Sequence, residues 1–196
     1  MKIYNIDGPD GVGKSTLVNN LLDHFINDGK RAGFLHFPRY DTAIGTLIRE
    51  ALFIRTAMDP KSLQMLYSAD RLNFTRFDVP KLEKEFDVLI VDRYNTSGLV
   101  YGRIDEVPVI DLLAFERETK KVDLNLILLA TPETVMSRMK DKNKDMYENL
   151  ESQRKALAYY KEIHLYYPNT IYIDANESPD SVLTQAVTAI EFYGSD

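Results

Sequence analysis

The chain contains no cysteine. Disulfide staples and thiolate metal centres are therefore excluded, and the expected compartment is a reducing cytoplasm. Histidine is nearly as scarce, with three scattered residues that do not form a metal-binding pattern. No apolar run is long enough to span a bilayer, so no membrane association is expected. The opening Met1-Lys2-Ile3-Tyr4 enters a strand pattern directly, so no signal peptide is expected. Positive charge is not in excess: 24 Lys and Arg against 30 Asp and Glu leave a formal net charge of -6. That argues against nucleic acid as a partner, although a local basic cluster can still hold a small polyanion. Repeats, low-complexity tracts and linkers are also missing. The 196 residues are read as one domain with a full core.

What is present is an alternation of strand and helix patterns. Ile3 to Ile6, Ala32 to Phe37, Val88 to Val91, Leu124 to Leu129 and Ile171 to Ile173 read as five short buried strands. Helical spacing is predicted over Ser15–Phe25, Ile44–Phe53, Ser62–Phe77, Val109 to about Lys120, Tyr147–Tyr160 and Pro179–Phe192. A further helix begins at Pro132 and is expected to end among Lys140, Lys142 and Lys144. Strands that are continuous apolar runs separated by helices mean a parallel sheet covered on both faces. The predicted fold class is α/β: a P-loop NTPase fold, with a five-stranded parallel sheet, helices on both faces and a short lid near 139–147.

Gly8-Pro9-Asp10-Gly11-Val12-Gly13-Lys14-Ser15 matches G-x-x-x-x-G-K-[ST] in full, between a strand and an amphipathic helix. Glycines let backbone N–H groups curl inward onto phosphate oxygens, and the helix N-terminus adds a field that favours anions. Lys14 is placed to reach the β- and γ-phosphates of ATP, and the Ser15 hydroxyl to ligate Mg²⁺. Asp92 closes the run Val88-Leu89-Ile90-Val91, where a second carboxylate can face the metal shell. Arg93 beside it suits a further phosphoryl group, because its fork grips phosphate with two hydrogen bonds. A regulatory GTPase would need N-K-x-D after a late strand; Asn143-Lys144-Asp145-Met146 has the wrong order and follows no strand. A non-catalytic P-loop module would not need a second arginine-rich pocket. Here Arg39, Arg71 and Arg93 each adjoin or lie near aromatic residues, among them Phe37, Tyr40, Tyr67 and Tyr94. Cations with flat rings suit a nucleotide whose base is stacked and whose phosphate is clamped.

The segments Asp10-Gly11-Val12-Gly13-Lys14-Ser15-Thr16, Phe37-Pro38-Arg39-Tyr40, Ala69-Asp70-Arg71 and Asp92-Arg93-Tyr94, with Ser97 and Tyr101, resemble thymidylate kinases in order and spacing. The likeness extends through Thr131-Pro132-Glu133 and Tyr147-Glu148. The resemblance implies Mg²⁺-assisted transfer of the ATP γ-phosphoryl group to thymidine monophosphate, by a homodimer. It implies that Gly8 to Thr16 bind ATP, that Arg138 covers the adenine, and that the Ala175-Asn176 loop lies nearby. It further implies that Asp10 serves the sugar side of the acceptor and the metal shell. Phe37 and Tyr67 would line the thymine pocket with Tyr40 beside them, and Arg71 would bond the base. Arg39 and Arg93 would hold the acceptor phosphate, Tyr101 would crowd the sugar 2′ position, and Tyr147 would close over the acceptor. Two positions depart from the family's pattern. Gly98 stands after Ser97 where members often carry a polar residue, and Gly11 stands where one branch has an arginine. The branch with cations supplied by the lid fits better, with Lys142 the expected contributor among Lys140, Lys142 and Lys144. A deoxynucleoside kinase, or a broader deoxynucleoside monophosphate kinase on the same fold, is the alternative.

Overall fold

The computed structural model describes residues 1–53, 58–138 and 150–193. Five strands, β1 (Lys2–Asp7), β2 (Ala32–His36), β3 (Val88–Asp92), β4 (Leu124–Leu129) and β5 (Thr170–Asp174), form one parallel sheet in the order β2-β3-β1-β4-β5. All five expected strands are present, each within one or two residues of its predicted limits. The helices are α1 (Lys14–Asn27), α2 (Ala43–Phe53), α3 (Pro60–Asn73), α4 (Val79–Glu85), α5 (Asn95–Ile104), α6 (Val109–Phe115), α7 (Pro132–Arg138), α8 (Leu150–Lys161) and α9 (Pro179–Tyr193). Among the described residues, no helix is long and apolar enough to cross a membrane.

Successive strand side chains point to opposite faces, so each strand feeds two cores. Tyr4, Ile6, Ile90, Leu126 and Leu128 pack against Leu17, Val18 and Leu21 of α1 and Val182 and Ala186 of α9. On the other face, Ile3, Leu89 and Val91 meet Phe37, Phe74 and Val79. Ile127 meets Leu99 and Val100 of α5 and Tyr160 of α8.

Three predicted helices end differently. The one expected over Ser62–Phe77 stops at Asn73 and passes through a π-turn, Phe74–Asp78, into α4. The one expected to reach Lys120 stops at Phe115. The chain turns over residues 116–118, and the Glu116 side chain there ion-pairs with Arg71. Helix α5 was not foreseen. The continuation of α7 past Arg138 and the start of α8 at Tyr147 lie outside the described residues.

One strand face carries polar residues into the core. Asn5 donates to Thr96 Oγ1 at 2.7 Å and to Asn125 Oδ1 at 2.9 Å. Asp7, fully buried, accepts from Gly8 N–H at 2.8 Å, Thr96 at 2.6 Å, Ser97 at 2.9 Å and Tyr160 at 2.7 Å. A carboxylate this buried is tolerated because its oxygens are met by donors. The result ties the strand that launches the phosphate loop to α5 and α8. Tyr160→Phe removes one charge-assisted bond from this hub. It is expected to lower stability by about 1.5–3 kcal/mol, read as a lower urea midpoint with an unchanged m-value.

Candidate active site

The carboxyl ends of β1, β3 and β4 converge, and the chain leaves β1 through the phosphate loop. Gly8 has φ near +142°, and a Cβ there would lie 2.4 Å from the Leu128 carbonyl oxygen. Only glycine passes so close to β4. Gly13, at φ near +111°, turns the loop into α1. Lys14 is buried, and its Nζ donates to the Gly8 and Pro9 carbonyls at 2.8 and 2.9 Å. Burial, and then the neighbouring Arg93, lower its pKa, while Asp7, Asp10 and Asp92 pull the other way. Ser15 and Thr16 are exposed on the first turn of α1.

Two cavities flank the loop. The first, about 150 Å³, lies beside Val12, Gly13 and Thr16 and is closed by Arg138, Glu177, Pro179 and Val182. Arg138 spans it, with Nη1 donating to the Ala175 carbonyl at 2.7 Å and the Val12 carbonyl at 3.3 Å, and Nη2 to the Glu177 carbonyl at 3.3 Å. Asn176 stands outside its wall, accepting from the Thr131 N–H and donating to Asp174. Glu177, Pro179 and Val182 do line this cavity, and nothing in the sequence marked them.

The second cavity, about 580 Å³, gathers Asp10, Phe37, Tyr40, Tyr67, Arg71, Arg93, Ser97, Gly98 and Tyr101, as expected from positions up to 91 residues apart. Arg93 has φ near +61°, a left-handed conformation costing a non-glycine residue about 1–3 kcal/mol and typical of functional sites. Its Nη2 donates to Asp10 and its Nη1 to the Tyr101 hydroxyl at 3.3 Å. Burial opposes its charge, but Tyr101, Asp10, Tyr160 and Asp7 together hold its pKa above the ordinary arginine value. Burial also pushes the Tyr67 phenol up to about 12, so it remains a neutral hydroxyl at physiological pH.

Some expected residues are placed otherwise. Arg39 is 9% exposed and engaged on every side: its Nε and N–H donate to the Asp70 carboxylate, Nη2 to the Asp70 carbonyl and Nη1 to Asp78. It does not line the acceptor-side cavity and instead fastens the Phe37-Pro38 turn to α3. Ser97 lines that cavity, but its hydroxyl is taken by Asp7 and Tyr160. Phe37 is 1% exposed, its ring edge-on to Phe74 and Tyr94. Lys142 and Tyr147 lie outside the described residues.

Three further residues join the site. His36 sits opposite Asp92 in the β2–β3 register, and its Nδ1 lies 3.1 Å from Asp92 Oδ2. Two polar residues ending adjacent strands were a readable signal. Gln64 falls on the face of α3 shared with Tyr67 and Arg71, at i, i+3 and i+7. Glu116, 45 residues from Arg71, left no sequence signal.

A phosphate loop with a cavity to each side, the larger of nucleotide size, and a buried lysine and an arginine beside them, defines a P-loop kinase of nucleotides. The family model described as thymidylate kinase matches residues 6–186, and the chain belongs to the thymidylate kinase family. A probable thymidylate kinase of Caldivirga maquilingensis is 30% identical over 195 residues, covering 95% of this chain and 92% of its own. The thymidylate kinase of Dictyostelium discoideum is 33% identical over 177 residues, covering 90% and 78%. A solved thymidylate kinase from Candida albicans shares the fold, with a TM-score of 0.80 at 24% identity over 97% of this chain and 91% of that one.

Proposed function

We propose that this chain transfers the γ-phosphoryl group of ATP to thymidine monophosphate and releases ADP and thymidine diphosphate, with the two nucleotides seated on either side of the phosphate loop. The observation that carries this reading is Arg93: a fork already bridged to the P-loop residue Asp10, between the loop and a cavity lined by aromatic residues.

The acceptor phosphate oxygen is itself a nucleophile, so no strong base is needed. A bond forms from that oxygen to the γ-phosphorus as the bond from the γ-phosphorus to the β–γ bridging oxygen breaks. The protein's task is alignment and neutralisation of spreading negative charge. Lys14 neutralises the β- and γ-oxygens. Arg93 holds the acceptor phosphate, and Asp10 pairs with that fork at the seam between the two sites until the phosphate takes its place. Tyr67 and Phe37 wall the base, and Arg138 covers the adenine. Lys142 is the proposed extra cation on the sequence alone, and Tyr147 the proposed cover.

The residues present fit a Mg²⁺ ion. Asp92 is 6% exposed, and its Oδ1 is buried without a hydrogen-bond partner, an oxygen donor of the kind this hard cation takes. Asp92 and the Ser15 hydroxyl would hold it. When bound with ATP it would supply positive charge to the phosphate oxygens.

We further read the chain as one domain with a lid near 139–147, acting in the cytoplasm as a homodimer. Leu47 and Phe53 of α2, Met65 of α3 and Ile110 of α6 are exposed large apolar residues on contacting helices, which supports a covered face there.

Product analysis tests the reaction directly. Phosphorus NMR of a mixture with ATP, Mg²⁺ and thymidine monophosphate should show ADP and thymidine diphosphate rising together. ADP with free phosphate and no thymidine diphosphate would reject the reading. Tyr101, whose ring lies against the Arg93 guanidinium, is the residue we assign to crowding a ribose 2′-hydroxyl. Tyr101→Ala is expected to raise kcat/KM for the ribonucleotide by about 10–100-fold relative to the deoxynucleotide, whereas Tyr101→Phe keeps the block. Equal sugar discrimination in wild type and Tyr101→Ala would show that the ring does not set it.

A further inference from the structure

Arg71 lines the acceptor cavity, and its ion-pair partner Glu116 lines another, of about 300 Å³. That cavity shares no residue with the two beside the phosphate loop. It is built mainly from the segments that enter β4 and β5, at the amino ends of those strands, whereas the phosphate loop leaves a carboxyl end.

Most of its polar lining is already engaged. Asn125 Nδ2 donates to Asn169 Oδ1 at 3.3 Å, and Asn125 Oδ1 accepts from Asn5. Asn169 Nδ2 donates to the Val122 carbonyl at 2.8 Å. The Glu116 carboxylate is held by Arg71, and Lys121 Nζ donates to the Glu116 carbonyl at 3.0 Å. Two groups are left over. Asn95 is 1% exposed, and its Oδ1 is buried without a hydrogen-bond partner. Among the described residues its Nδ2 has none either. Asparagine at a helix start ordinarily caps it, but Tyr94 holds the cap position here and Asn95 is the first residue of α5. The second group is the Tyr167 hydroxyl, also without a partner among the described residues. Burial, and then Glu116, raise its pKa, so it stays a neutral donor and acceptor.

We propose that this cavity is a further small-molecule site, for a neutral planar ring with a lactam edge whose adjacent N–H and C=O pair with the Asn95 carboxamide. A carboxamide offers an acceptor and a donor side by side, and a lactam offers the same pair in reverse. Folded chains seldom leave a buried amide unpaired, so a group that completes it gains more than a contact at the surface. Leu113, Val122, Tyr166 and Pro168 give the ring apolar and flat walls. Neutrality follows from the charges: Glu116 and Arg71 cancel each other, and Lys121 is exposed with its ammonium on a carbonyl. A charged ligand would lose its water there without a buried counter-charge. The volume lies at the low end for ligand sites and suits a single ring rather than a nucleotide. The inference stands whichever acceptor the enzyme takes.

The test is a titration of the wild-type protein with 2-pyridone, the simplest planar lactam, followed by proton–nitrogen NMR with and without saturating thymidine monophosphate. The backbone amides of Asn95, Val122 and Tyr167 should shift in both cases, with half-saturation at about 1 mM, as expected of so small a ligand. 1-Methyl-2-pyridone, which lacks the N–H, should bind at least about tenfold more weakly. Asn95→Leu should weaken 2-pyridone by a similar factor without lowering the thermal midpoint, because the side chain it removes has no partner to lose. If that variant fails to fold, the two pyridones on wild type still decide. Equal affinity for both pyridones overturns the proposal. So do shifts confined to acceptor-cavity residues such as Tyr67 and abolished by thymidine monophosphate, or no shift of the three amides at about ten times the expected concentration.

Discussion

Lys14→Ala is expected to give a folded protein whose kcat falls by at least about 10³-fold. The fold should survive because Nζ hydrogen-bonds the Gly8 and Pro9 carbonyls, which water can satisfy once the side chain is cut back, and pairs with the exposed Asp10 only at 4.0 Å. Shape in the loop comes instead from Gly8 against β4 and from the Gly8 N–H bond to Asp7. Transfer should fail because no other described cation is buried in the loop itself. The nearest arginine, Arg93, is bound to Asp10 on the acceptor side. Lys14→Arg should not restore the rate. Its planar fork is larger than an ammonium and would meet the two loop carbonyls that Nζ fits between. Circular dichroism with steady-state kinetics checks both halves of the expectation. A folded Lys14→Ala enzyme at full rate would remove the kinase account.

Arg93→Ala is the second large effect, with kcat/KM for the acceptor reduced by about 10²–10⁴-fold and KM for ATP changed much less. The fork is preorganised: Tyr101 and Asp10 hold it, and a left-handed backbone aims it. Exchanging Asp10 for an acceptor phosphate keeps its charge paired throughout, so little reorganisation accompanies binding. Arg93→Lys keeps the charge but makes single rather than paired bonds. It should recover part of the loss, about tenfold. Equal losses for alanine and lysine would mean that geometry, rather than charge, carries the role. A wild-type acceptor KM in Arg93→Ala would place the phosphate elsewhere. Alanine at this φ is itself strained, so the thermal midpoint should be followed alongside.

The sheet was legible because its strands are uninterrupted apolar runs that need cover on both faces, and the phosphate loop because its chemistry allows few substitutions. Helix α5 was not. Asn95 to Val100 and Gly102 are all buried, so this helix has no polar side and shows no 3.6-residue period. The Thr96 and Ser97 hydroxyls, which read as loop, are there to satisfy Asn5 and Asp7 from β1. Arg39 shows the same limit at the site. The resemblance assigned it to the acceptor phosphate, but the sequence could not show that Asp70 and Asp78, 31 and 39 residues away, would surround it. Arg71 was visible as a cavity residue, whereas its pairing with Glu116 depends on how α3 and α6 pack together. Long-range partners of buried charges are set by tertiary packing, which no local pattern encodes.

The most direct test of the central claim is kcat/KM with Mg-ATP for thymidine monophosphate against unphosphorylated thymidine, measured side by side on the wild-type chain. If Arg93 clamps a phosphate that the acceptor already carries, the monophosphate should be preferred by at least about 10³-fold, since the nucleoside offers the fork no phosphate to take in exchange for Asp10. Thymidine turning over as well as or better than its monophosphate would contradict the account and make the chain a nucleoside kinase.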